Sequence, residues 1–213
     1  MLKAPRTCEP QYEVFLDTEP MTLGPMASYQ WRHVPERLLF VHARYGFVAK
    51  MLAGKASVAE IGCGDGSFSP IVAKVVGELA LYDIDPAWTG YSSMRVHDIV
   101  AVPLPALFDA VYMIDVFEHI APDDESRMMD NIVHSLTSDG VFIAGSPTLE
   151  SQAYASDISR AGHVNCKKGA QFRSDALRYF ENVFLFGMND ATLHTGYPAM
   201  SHYHFILCTH PKS

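Results

Sequence analysis

Apolar residues along this chain fall into two rhythms that alternate. In PERLLFVHARYGFVAKMLAG (35–54), Leu38, Leu39, Val41, Ala43, Phe47, Val48 and Leu52 supply the apolar faces of a helix. Pro35 suits its first turn and Gly54 its end. Short, nearly continuous apolar runs follow, the pattern of strands buried on both faces. They are SVAEI (57–61), ELALYDID (78–85), MRVHD (94–98), FDAVYMID (108–115) and VFIAGSP (141–147). Between them, SFSPIVAKVV (67–76) and PDDESRMMDNIVHSLTSDG (122–140) read as helices. The second places acidic residues in its first turn, favourable to the helix dipole, and Gly140 at its end. Such alternation predicts βαβ units and a parallel sheet covered on both faces.

The ends of the chain depart from this rhythm. Residues 1–34 read as an N-terminal arm, the first thirty rich in Pro, Thr, Glu and Met without steady periodicity. In the last third, RSDALRYFE (173–181) predicts a helix, NVFLFGM (182–188) a strand, and SHYHFILCT (201–209) a final strand. No helix separates the last two, so the final strand returns antiparallel to its neighbour.

The turn after the first strand is Gly62-Cys63-Gly64-Asp65-Gly66. Glycines between a strand and a helix let a ligand approach the main chain, because no Cβ intervenes. Taken alone, the turn fits a ligand site and a bare tight turn about equally. Three further features tip the balance toward a ligand. Asp83 ends the second strand, His97-Asp98-Ile99 ends the third, and Asp115-Val116-Phe117-Glu118-His119 follows the fourth. Ligands of open α/β sheets bind beyond those strand ends, so the four features converge on one crevice.

In this order and spacing, EIGCGDG, LYDIDP, HDI, DVFEHI and LTSDGVFIAGSP resemble the class I S-adenosylmethionine-dependent methyltransferases, over about residues 35–209. The resemblance implies a Rossmann-like, doubly wound α/β sheet of seven strands, mostly parallel with the last antiparallel. It implies a methyltransferase domain over 35–213 with an acceptor-site insertion around 148–172. It further implies that Gly62 and Gly64 line the methionine end of the cofactor, with Glu60 orienting the loop or the ammonium group. Asp83 would accept from the ribose hydroxyls, Ile84 pack on adenine, Asp98 accept from the adenine amino group beside the Ile99 amide, and Asp115 lie near the sulfonium.

Methyl transfer is an in-line displacement, so the protein must chiefly align the acceptor and, for a hydroxyl, remove its proton. Asp115, Glu118 and His119 are spaced i, i+3, i+4 and share a direction if a helical turn follows the fourth strand. His163 lies in the insertion. E-x-x-E-H with a further His is similar to the metal site of some ubiquinone-pathway and small-RNA 2′-O-methyltransferases, with Asp115 standing here for the first Glu. Two readings stay open: Asp115, Glu118, His119 and His163 hold Mg²⁺ or Mn²⁺, or Asp115, His119 and His163 serve catalysis unassisted. His202 and His204, alternating on the last strand, and His194 and His210 read as structural. Tyr29-Gln30-Trp31-Arg32-His33 reads as a cover over the cofactor or as an apolar anchor for the arm.

Composition narrows the function. With 16 basic against 24 acidic residues the net charge is −8, and the nearest approach to a basic cluster is Lys167-Lys168, which disfavours nucleic acid. No apolar run has membrane-spanning length and the N-terminus has no signal-peptide core, so the expected setting is the cytoplasm without a membrane partner. Cys8, Cys63, Cys166 and Cys208 form no CxxC pair and read as free thiols. Nothing in the sequence selects an oligomeric state. A nicotinamide dehydrogenase is disfavoured by G-x-G-x-G in place of G-x-G-x-x-G and by the lack of a Tyr-x-x-x-Lys pair. The favoured reading is transfer of a methyl group to oxygen or nitrogen of a small-molecule acceptor, such as a sugar or natural product. The alternative is an S-adenosylmethionine-binding protein with a regulatory or assembly role and no transfer.

Overall fold

The computed structural model describes residues 18–212 together with Tyr12 and Phe15. Cys8 and most of the first seventeen residues lie outside the described part.

Eight strands form one sheet in the order β3-β2-β1-β4-β5-β8-β6-β7. They are β1 (Ser57–Ile61), β2 (Glu78–Asp83), β3 (Arg95–Val96), β4 (Phe108–Ile114), β5 (Leu136–Pro147), β6 (Phe180–Asn189), β7 (Thr192–His194) and β8 (Tyr203–Pro211). The first five pair in parallel, and β8 joins antiparallel to both β5 and β6. The antiparallel return read from the sequence is present. The count of seven is corrected by β7, which folds back on β6 through Asp190 and Ala191. Asp190 takes φ 51°, a left-handed conformation that Asp tolerates better than most residues. Both sheet edges end in strands of two or three residues, which leaves little exposed ladder for unwanted pairing.

Alternate residues of the central strands feed two separate cores, as a doubly covered sheet requires. Ala110 and Tyr112 of β4 pack with Tyr45, Val48 and Leu52 of one helix, α2 (Glu36–Leu52). Val111 and Met113 point the other way, toward Met128, Met129 and Ile132 of α4 (Glu125–His134) and Phe172 of α6 (Gly169–Ala176).

Helix lengths differ from the sequence reading, for local reasons. Pro70 has no N–H to continue a helix begun at Ser67, so it serves as the first residue of a four-residue helix, α3 (Pro70–Ala73). The helix read over 122–140 divides into a 3₁₀ turn, α4 and the start of β5, because Leu136 is buried opposite Phe108. In the last third, α6 begins earlier than Arg173 and Phe180 already belongs to β6. Within the arm, residues 25–33 form a regular helix, α1 (Pro25–His33), and the segment before His163 forms α5 (Asp157–Gly162).

Candidate functional site

The parallel register sets the site. Ile61 pairs with both Tyr82 and Met113, and Ile114 pairs with Gly145, so Gly62, Asp83, Asp115 and Ser146 emerge at one edge of the sheet. The strand order reverses between β1 and β4, where α/β sheets open their binding crevice.

In the glycine turn, Gly62, Gly64 and Gly66 all have positive φ (75°, 54° and 70°), which only glycine adopts readily. Protein atoms, too, come close to these glycines. A Cβ on Gly62 would overlap Val116, and one on Gly64 would lie 2.8 Å from the Met26 sulfur. Met26 belongs to α1, which is seated on the turn by Asp65. The N-cap of α1 is Gly24, which has no side chain to offer its first turn. Asp65 Oδ2 substitutes from across the chain, accepting from Met26 N at 2.8 Å and Ala27 N at 3.2 Å. Sequence reasoning passed over Asp65, and its place inside a glycine motif was the available signal. Asp65→Ala should raise amide hydrogen exchange in α1 by about 5- to 30-fold, the loss of a cap. Unchanged protection would mean that α1 is held elsewhere.

Glu60 lies 1% exposed on the α2 side of the sheet. Its carboxylate accepts from Tyr45 Oη at 2.6 Å and Tyr112 Oη at 2.8 Å, so it braces the strand that carries the turn. Glu60→Leu leaves two hydroxyls buried without acceptors, a loss of about 2–4 kcal/mol that thermal unfolding should register.

Asp83 accepts from Gly64 N at 2.8 Å and Asp85 N at 3.0 Å. Asp98 accepts from Val100 N at 2.9 Å, with Ile99 buried beside it. Ile84 is 65% exposed at the same edge, an apolar surface between two carboxylates of the kind that a purine ring would cover.

On the other side of the turn lies a cavity of about 450 Å³, lined by Met26 and Gln30 of α1, Arg37, Phe40, Val41 and Arg44 of α2, and Asp115, Glu118, His119, Pro147, Ser159 and His163. The four polar residues singled out after β4 and in the insertion therefore meet. They do not share one helical face. Only Phe117–His119 is helical, as a 3₁₀ turn, and Asp115 precedes it at φ 57°. That turn of the backbone sends Asp115 to Arg44, with Oδ2 at 2.6 Å from Nη1. Arg44 also lies 3.9 Å above the Tyr203 ring. This half-buried cation was missed in the sequence, where HARYGF showed only a lone charge inside an apolar helix.

Candidate ligand atoms of Glu118, His119 and His163 all lie within 4.8 Å of one another. The segment carrying His163 is tied to Glu118, whose main-chain oxygen accepts from Val164 N at 2.8 Å and Asn165 N at 3.0 Å. Each imidazole is oriented from behind. His119 Nδ1 is 2.9 Å from Gly162 O and His163 Nδ1 is 2.9 Å from Gln152 Oε1, so each Nδ1–H donates outward and leaves Nε2 as the basic nitrogen. Burial, aided by His119, lowers the pKa of His163. Burial, with Asp115 beside it, pushes the Glu118 carboxyl up to about 8. Between its ordinary range and that value the folded chain keeps a proton that the unfolded chain has lost, so rising pH destabilises the fold. Glu118→Gln removes this pH dependence, and its Tm relative to wild type should climb between pH 5 and pH 9. A constant difference would contradict the assignment.

The remaining groups fall outside the cavity. Lys167 is held by Glu125 Oε1 at 2.9 Å and Asp175 Oδ2 at 2.5 Å, so its charge is met within the protein. His204 is buried with Nε2 at 3.0 Å from Pro198 O, and His194 Nδ1 accepts from Gly196 N at 3.1 Å. Cys63, Cys166 and Cys208 are free thiols. Trp31 and Tyr29 are 65% and 61% exposed, whereas Ala27 of α1 is buried. Among the described residues no helix is long and apolar enough to cross a membrane.

The fold is a Rossmann-like doubly wound sheet, and comparison with known proteins agrees with the methyltransferase resemblance. Residues 59–144 match the family model described as a methyltransferase domain, in keeping with the class I S-adenosylmethionine-dependent enzymes. The N-methyltransferase NodS from Bradyrhizobium japonicum WM9, in complex with S-adenosyl-L-homocysteine, aligns with TM-score 0.63 at 17% identity, over 86% of this chain and 92% of that one. A possible histamine N-methyltransferase from Thermotoga maritima aligns with TM-score 0.65 at 16% identity, over 87% and 95%. A chain from the complex between the Haloferax volcanii Trm112 methyltransferase activator and a putative methyltransferase aligns with TM-score 0.64 at 15% identity, over 90% and 100%. Among curated proteins none matches this sequence.

Proposed function

We propose that this chain, an S-adenosylmethionine-dependent methyltransferase, acts on an oxygen or nitrogen of a small-molecule acceptor seated in the 450 Å³ cavity. The observation that carries the reading is that His119 and His163, with ring centroids 5.2 Å apart and each Nδ1 already bound, both line the cavity beside the crevice where β1 and β4 end. Asp83 and Asp98 would take the ribose and adenine polar groups, Ile84 and Ile99 the purine, and the glycine turn the methionine end. Arg44, half-buried and paired with Asp115, lies on the acceptor side of the turn. When bound, S-adenosylmethionine supplies a methyl carbon on sulfonium and becomes the neutral thioether as that C–S bond breaks. The acceptor's oxygen or nitrogen forms the new bond to carbon, and its proton passes to Nε2 of His119 or His163 and then to solvent. With α1 seated on the turn by Asp65, Met26 and Gln30 would help keep water from the reacting atoms.

A second reading rests on the spacing within 4.8 Å of the three ligand atoms. Glu118 Oε2 is buried without a partner, and both imidazoles are held by outer acceptors in the tautomer a metal ion needs. Glu118, His119 and His163 would hold Mg²⁺ or Mn²⁺, with Asp115 withdrawn to Arg44. Such an ion lowers the pKa of a bound hydroxyl. Turnover after chelator treatment decides between the two. Full activity without metal supports the unassisted imidazoles, and activity restored only by Mg²⁺ or Mn²⁺ supports the ion. A protein that binds S-adenosylmethionine but methylates nothing in a broad panel would favour the regulatory alternative.

A further inference from the structure

Polar groups from three separate elements face the cavity without partners. Arg37 and Arg44 stand about two turns apart on α2, and both line it. The charge of Arg44 is met by Asp115, whereas Arg37, exposed at the mouth, makes no ion pair among the described residues. From α1, Gln30 Oε1 is buried with no hydrogen bond, and so is Glu118 Oε2 from the turn after β4. Buried polar atoms in folded proteins are nearly always paired, so atoms left open along one cavity mark where a ligand's polar groups belong. Asp115 Oδ1 and Arg44 Nε are buried and open as well, so the set is one cation at the rim with three oxygens and one N–H further in.

The chain as a whole is acidic, with a net charge of −8, yet this rim presents uncompensated positive charge. Asp115 is paired with Arg44, and no carboxylate among the described residues forms an ion pair with Arg37. A polyanion would meet repulsion from the rest of the surface, and Lys167 beyond the cavity is already paired. A small anion meets neither obstacle.

Resting on the methyltransferase reading above, we propose that the methyl acceptor is a small anion. Arg37 holds its carboxylate or phosphate at the cavity mouth, while its hydroxyl or amine lies inward beside Gln30, Glu118, His119 and His163. Arg37 is then a specificity-determining residue, and the distance from the rim to the imidazoles separates the anionic group from the methylated atom.

The test uses the full chain saturated with S-adenosylhomocysteine and titrated calorimetrically with two matched pairs. One is 3-hydroxybenzoate against 3-hydroxybenzamide, the other glycerol 3-phosphate against glycerol. At least one anion should bind about 10-fold tighter than its neutral partner, the worth of a charged hydrogen bond, and the pair that shows this distinguishes carboxylate from phosphate. Arg37→Gln should abolish the preference and Arg37→Lys retain part of it, with affinity for S-adenosylhomocysteine unchanged in both. The proposal is overturned by equal or tighter binding of the neutral members, by a preference that survives Arg37→Gln, or by no binding of any of the four. It is also overturned if Arg37→Gln weakens S-adenosylhomocysteine itself, since the cation would then serve the cofactor. Failure of wild type to bind S-adenosylhomocysteine would instead remove the methyltransferase reading on which the proposal stands.

Discussion

His119→Ala should lower turnover by about 10²- to 10⁴-fold while leaving the affinity for S-adenosylhomocysteine within about twofold of wild type. The imidazole lines the 450 Å³ cavity from a 3₁₀ turn, with Nδ1 held by Gly162 O, and it makes no hydrogen bond to the glycine turn. Removing it takes away a proton acceptor without disturbing the cofactor's side of the crevice. His163→Ala should give a similar loss, and the double variant should fall little further if the two work as one unit. Release of S-adenosylhomocysteine with an accepted substrate, beside calorimetry of the same preparations, separates the two quantities. Wild-type turnover in His119→Ala would remove the catalytic assignment, and a parallel loss of cofactor affinity would make the residue structural.

Asp83→Ala should do the converse, weakening cofactor binding by about 10- to 100-fold through the loss of charge-assisted bonds to ribose hydroxyls. A second effect adds to it. Asp83 also holds Gly64 N at 2.8 Å, so its removal loosens the turn that would carry the methionine end. Asp83→Asn separates the contributions, because the amide oxygen can still accept from Gly64 N while the negative charge is gone. An intermediate affinity for Asp83→Asn is the expected result. Unchanged binding in both variants would show that Asp83 braces the turn and nothing more.

The parts of this molecule legible in the sequence are those set by local chemistry. β1 and β4 were found almost residue for residue, since SVAEI and FDAVYMI are buried apolar runs that no competing period disturbs. The antiparallel return of β8 followed from the missing helix before it. Boundaries failed where a tertiary contact overrode local preference. Leu136 left its helix to pair with Phe108, and the short β7 appeared because Asp190 accepted a left-handed turn.

The candidate site shows the same division. Glu118 and His119 are neighbours in sequence and could be read together. Their meeting with His163 depends on main-chain bonds from Val164 and Asn165 to Glu118 O, which join segments more than forty residues apart and have no local signature. Asp115 was placed with them on helical spacing, but its positive φ turned it to Arg44, a partner 71 residues away. The glycine turn was read as room for a ligand. It also makes room for α1, because Asp65 caps that helix and Met26 lies against Gly64.

Direct calorimetric titration of chelator-treated protein with S-adenosylmethionine and S-adenosylhomocysteine tests the central claim. Binding of one molecule per chain, with Kd on the order of micromolar and weakened in Asp83→Ala, is the predicted result. Absence of heat with either compound, with and without Mg²⁺ or Mn²⁺, would contradict it.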